Sequence, residues 1–323
     1  INIQNIIFTH TAPTTTAGAV WTDDTDYMKF ENCIFDTCAT GIWVRSSDEN
    51  ERKNVIIENC VFDSCKATGV SIEYSSISAG KITMTGGSVT NCGQTGNASY
   101  HGLYVIADQL TVIGTHFEGN HGYAIHAYIS GTGDYELDHI NMLGCTFKDN
   151  GGSVGGDIDI IGKSSSWAYK ATVTGCTFDV ERVGIVSNVF SAGSFSGNTF
   201  HVTSGAIGIV VADSGTEHPN MTITISANSF IGHVAKYGDT VTQVGEGVSV
   251  GVNGGAASGN IININGNTFN GLETGVNTGD LSGSGGLYNS FITANGFVNC
   301  TTDIYNKDTP HSTTTIGSNK YSA

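Results

Sequence analysis

Asp157 and Asp159 stand two residues apart in the run Asp157-Ile158-Asp159-Ile160. In an extended strand such residues share a face, with Cα atoms about 6.6 to 7 Å apart. Depending on rotamer, their carboxyls reach the roughly 5 to 5.5 Å of a retaining glycosidase pair or the roughly 6.5 to 9.5 Å of an inverting one. The pair therefore reads as an acid with a base or nucleophile. The triplets Ile42-Trp43-Val44, Val70-Ser71-Ile72, Leu103-Tyr104-Val105, Ile125-His126-Ala127 and Ile158-Asp159-Ile160 are each apolar, variable, apolar. Period two turns their middle residues outward. With Ile185-Val186 continuing the pattern, this predicts an outer column Trp43, Ser71, Tyr104, His126, Asp159, Val186, flanked by Arg45, Glu73 and Tyr128 on one side and Asp157 on the other.

Rings stack on pyranose faces while carboxylates accept hydrogen bonds from sugar hydroxyls. Trp43, Glu73, Tyr104, His126 and Tyr128 are accordingly the candidate substrate contacts, with Asp157 and Asp159 as the candidate catalytic residues. Glu73, three rungs from Asp159 or about 14 Å, is too far for a catalytic pair and suits a subsite. The bland reading of the same residues is a solvated sheet face, since outward strand positions are polar by default. His116, His121 and His126 recur every five residues, a spacing that neither a strand nor a helix brings together, so no metal site and no cofactor is expected. Asp213, Glu217 and His218, on an insertion, form a second and weaker constellation.

The residues that must position this column repeat along the chain. Met28 to Val44 (MKFENCIFDTCATGIWV) and Val55 to Ile72 (VIIENCVFDSCKATGVSI) are two copies of one unit. Its apolar anchor recurs as Phe8, Phe35, Phe62, Val89, Phe117, Phe147, Phe178, Phe200, Phe230, Phe269 and Phe297. A period near 30 residues built of short β-branched runs and Asn, Gly, Ser and Asp turns predicts a parallel β-helix of about eleven coils. Two positions before the anchor stand Cys33, Cys60, Cys145 and Cys176, then Asn198, Asn228, Asn267 and Asn295. Successive coils lie about 4.8 Å apart, so like stacks on like: the thiols pack as small hydrophobes, and the amides hydrogen-bond along the stack at an αL turn. Stacked parallel side chains suit free thiols rather than disulfides. The expected organisation is one β-helix domain over residues 1–306 and an irregular tail over 307–323.

The 323 residues carry 13 Lys plus Arg against 29 Asp plus Glu, a net charge of −16. That balance disfavours nucleic acid and anionic membranes as partners and permits neutral or zwitterionic glycans. No apolar run is long enough to span a bilayer, no signal peptide is expected from the first residues, and Ile1 to Ile6 reads as the middle of a coil.

With NCxFDxC and the outward triplets in view, the chain resembles the right-handed parallel β-helix superfamily of pectate lyases, polygalacturonases and phage tailspikes. It shows no pectate-lyase calcium cluster, no polygalacturonase motif set and no alginate-epimerase motif, which points the resemblance towards the tailspike branch. That branch implies a homotrimer on a virion tail, or alternatively a secreted bacterial protein, that binds and cleaves a bacterial surface polysaccharide through carboxylates. A lyase using Tyr104 or His126 as base, and a non-enzymatic adhesin, are the alternatives.

Overall fold

Short β-branched runs bounded by Asn, Gly or Ser give strands of three to seven residues, and no helix occurs among the described residues. The computed structural model describes residues 1–10, 18–23, 25–46, 54–74, 80–93, 99–107, 109–129, 139–152, 155–162, 170–188, 192–213, 222–232, 245–252, 260–278, 288–306 and 312–322. The chain divides into two compact units, Ile1–Lys163 and Ser164–Ala323.

In the first unit each coil contributes one strand to each of three parallel sheets. Sheet 1 runs Asn2–Gln4, Tyr27–Glu31, Asn54–Glu58, Lys81–Thr85, Gln109–Ile113, His139–Leu143. Sheet 2 runs Ile7–Thr9, Ile34–Asp36, Val61–Asp63, Ser88–Thr90, His116–Glu118, Thr146–Lys148. Sheet 3 runs Gly18–Asp23, Thr40–Ser46, Val70–Tyr74, Leu103–Ile106, Ile125–Ile129, Ile158–Gly162. The second unit repeats the plan, its sheet 1 beginning at Lys170–Thr174 and ending at Ser312–Gly317. Its sheet 2 ends at Lys320–Ser322. The segment expected to be an irregular tail thus supplies two paired strands, and Tyr321 stacks on Phe297 at 5.5 Å as one more rung than the eleven counted. The repeat count missed it because a tyrosine occupies the anchor position.

Register makes the core. Phe35 stacks on Phe8 and Phe62 on Phe35, each at 4.7 Å with planes within 6°. In the second unit Phe178, Phe200, Phe230, Phe269 and Phe297 stack at 4.6 to 5.0 Å. Removing one such ring costs about 3 to 5 kcal/mol. Beside them, each buried asparagine of the second unit uses its amide fully. Asn228 Oδ1 accepts from the Asn198 backbone and side-chain nitrogens at 2.9 and 3.0 Å. Its Nδ2 donates to Phe195 O at 2.9 Å and Asn267 Oδ1 at 3.0 Å. Cysteine fills this slot at Cys33, Cys60 and Cys145 in the first unit and at Cys176 in the second; Cys60 Sγ donates weakly to Glu58 O at 3.4 Å, and burial pushes its thiol up to about 11. The left-handed turn lies one position earlier than expected, at Asn32, Asn59 and Gly86, with φ of 53°, 51° and 64°. At Gly86 the φ alone strains any larger residue, and an added Cβ would lie 2.4 Å from Asn59 Oδ1.

Truncating one ladder amide strands several buried groups at once, each worth about 1 to 3 kcal/mol. Asn228→Ala is expected to lower the unfolding free energy by about 3 kcal/mol on that scale, as read by urea denaturation. The exposed Asn270→Ala on sheet 2 should change it little.

Candidate functional site

The outer column of sheet 3 in the first unit forms as the triplets imply. Trp43 pairs in register with Ser71, Ser71 with Tyr104, Tyr104 with His126 and His126 with Asp159. One more residue joins it below: Trp21 pairs with Trp43. The sequence carries a signal for it, since Ala19-Val20-Trp21-Thr22 has the same alternation as Gly41-Ile42-Trp43-Val44. Six rungs at about 4.8 Å make a strip roughly 24 Å long.

The strip has two chemically distinct ends. At one, the Trp21 and Trp43 rings stack at 5.4 Å and 16°, and Trp21 is 54% exposed. The Arg45 guanidinium lies 5.7 Å over the Trp43 ring. Glu73, expected as a subsite, instead fixes this platform: its Oε1 accepts from Trp43 Nε1 at 3.1 Å and from Ser71 Oγ at 2.8 Å. Trp21 Nε1 donates to Asp23 Oδ1 at 3.2 Å. The indole edges are thereby held while the Trp21 face stays in water.

At the other end lies a cluster in which Tyr104 and His126 are joined by His101 and Tyr123, two residues sequence reading missed because they precede the strands rather than sit in them. His101 and His126 stack at 4.6 Å, Tyr104 packs against His126 at 5.4 Å, and Tyr123 meets His126 edge-on at 5.6 Å. His101 is 3% exposed and its Nδ1 accepts from the Tyr123 backbone N–H at 3.1 Å, which assigns the proton to Nε2. Burial pushes the His101 imidazole down to about 3, with repulsion from His126 adding to it, and pushes His126 down to about 4. His126 Nδ1 lies 3.5 Å from Asp159 Oδ2. With the imidazole neutral at pH 7, this is a dipolar contact rather than an ion pair.

Asp157 does not share that face. The alternation predicts it on the outer face beside Asp159, but its side chain turns inward. It occupies the column of Gly41, Gly69, Gly102 and Ala124 at the entry to sheet 3. A Cβ at Gly41 would lie 2.7 Å from the Phe62 ring, and one at Gly102 would lie 3.1 Å from the Asn120 amide carbon. Strict alternation fails there because the chain is still leaving the turn. Asp157 Oδ1 accepts from Asn150 Nδ2 at 3.0 Å, continuing a buried amide chain in which Asn120 Nδ2 donates to Asn150 Oδ1 at 2.8 Å. Both aspartates are 2% exposed, and their carboxyls serve different partners rather than flanking one groove. The Tyr128 side chain and all of Glu217 and His218 lie outside the described residues, as does the side chain of Asp213.

Residues 1–102 match the family model described as the right handed beta helix region. This chain is a right-handed parallel β-helix. No curated protein and no solved structure matches it. The match ends just before the Leu103–Ile106 strand, so it covers the platform rungs but not His126 or Asp159.

The two histidines give the β-helix a pH signature. Their proton affinity is lower in the folded chain than in the unfolded one, where histidine titrates near 6.5, so protons favour unfolding. The stability they contribute is complete above about pH 6.5 and is lost as pH falls through about 4 and then about 3. Thermal melts of the wild type should therefore fall more steeply between pH 6.5 and 3 than those of a His101→Phe, His126→Phe double variant; parallel curves would contradict the burial of neutral imidazoles.

Proposed function

We propose that this β-helix recognises a neutral polysaccharide on a bacterial surface, laid along the outer column of sheet 3 in its first unit. The observation that carries the reading is the Trp21–Trp43 platform. An indole face that is more than half exposed, pinned at its edge by Asp23 and backed by a second indole, is apolar surface held rigid in water. A pyranose ring covers such a face, while Asp23 and Arg45 meet its hydroxyls and Glu73 holds the second indole in place. Carboxylates outnumber cations around the platform, which with the net charge of −16 favours an uncharged glycan.

A second reading, cleavage, is favoured by the His126–Asp159 contact. A neutral imidazole beside a carboxylate is a proton acceptor, with the Asp159 carboxylate 3.5 Å away and Tyr104 paired with His126 in the next rung. Hydrolysis by two facing carboxylates is the poorer fit, since Asp157 is engaged with Asn150. Assembly as a trimer on a virion tail follows from the tailspike resemblance alone, and native mass spectrometry tests it.

Calorimetric titration with capsular and O-antigen oligosaccharides should show binding that drops at least tenfold, about 1.4 kcal/mol, in Trp21→Ala. Absence of binding to every glycan tried, or equal binding by the variant, would sink the recognition reading. If the strip also cleaves, His126→Gln should lose about 10²- to 10⁴-fold in rate. New reducing ends alone then mark hydrolysis, and an added ultraviolet-absorbing unsaturated product marks β-elimination.

A further inference from the structure

We propose a second glycan site, on sheet 1 of the second unit, built to adsorb a flat neutral surface of packed polysaccharide chains rather than one chain in a groove. The register places Thr172, Ser194, Thr224, Asn263, Phe291 and Thr315 in one outward column. The columns on either side are equally uncharged from Ala192 onward, with Lys170 alone at one corner. The contrast is with sheet 1 of the first unit, where Lys29 bridges Glu31 at 3.1 Å and Glu58 at 2.8 Å. Charge-free outward rows in a chain of net charge −16 mark a wall that a neutral partner meets without stripping water from ions.

Shape narrows the partner further. Ordinary sheets twist about 20 to 25° per strand. Here the stacked phenyl rings of the same coils, carried on the adjoining sheet 2, turn by only 6 to 9° from one coil to the next, because the asparagine ladder and ring stack hold each coil over the last. The wall is therefore nearly flat, about 13 to 14 Å across three columns and about 24 Å along six rungs. That is wider than one sugar chain and offers no groove to enclose one. Threonine and serine hydroxyls and asparagine amides both donate and accept, as sugar hydroxyls do. Phe291, 38% exposed among them, presents a ring to a pyranose face. This site is independent of the tryptophan platform and goes beyond the recognition reading above.

The test is co-sedimentation of the full chain with microcrystalline cellulose and with chitin. The wild type should pellet with at least one of them, and Thr224→Glu with Asn263→Glu should cut the partition coefficient at least tenfold. Both positions point outward, and a circular-dichroism melt confirms that the variant folds; Thr224→Ser serves as a folded, binding-competent control should the double variant melt early. The same charges placed on sheet 1 of the first unit, Thr83→Glu with Thr111→Glu, should pellet like the wild type. Failure of the wild type to pellet with either solid, undiminished pelleting of the second-unit charged variant, or equal loss of pelleting in the first-unit one would each overturn the second site.

Discussion

Every part of this molecule depends on vertical register: a residue is stabilised by its counterpart one coil away, about 4.8 Å along the stack. Phenyl rings gain dispersion and burial from the rings above and below. Buried amides satisfy themselves only because the next amide is another asparagine in the same place. A one-residue slip in any strand would turn its core residues to water and leave those amides unpaired. The repeating sequence is thus the means by which a single register is specified, and insertions are tolerated between strands rather than within them.

The same constraint leaves function to the outer walls and to the turns. Small side chains line the entry to sheet 3, where an added Cβ meets the phenyl column, so Asp157 is admitted only because the Asn120–Asn150 amide chain offers it a donor. Asp159, two residues further along, falls on the outward side, yet it is 2% exposed, with His126 Nδ1 3.5 Å from its carboxylate. Outward in register and exposed to solvent are different properties here. Trp21 has both, and His126 and Asp159 have chiefly the first.

The fold and the composition of the outer column were legible because both follow from period and parity. Trp43, Ser71, Tyr104, His126 and Asp159 share a column for the same reason that Phe35 lies on Phe62. What was not legible concerned the places where parity breaks. Asp157 sits at the turn exit, His101 and Tyr123 sit before their strands, and Trp21 follows a stretch without repeat character. Tyr321 was missed because the anchor there is a different aromatic. Local alternation carries no information about how side chains leave a turn, and burial of an outward residue depends on neighbours that one strand does not disclose.

Register can be measured directly. Lys29, Ile56, Thr83, Thr111 and Asn141 are successive partners on the outer face of sheet 1 in the first unit. Spin labels at Lys29→Cys and Asn141→Cys, in a Cys300→Ser background that leaves only buried native thiols, should give one narrow dipolar distance. Four coil spacings put the two backbone positions about 19 Å apart, and a distance centred there supports in-register stacking. A broad distribution, or a mean several ångströms away from it, would contradict it.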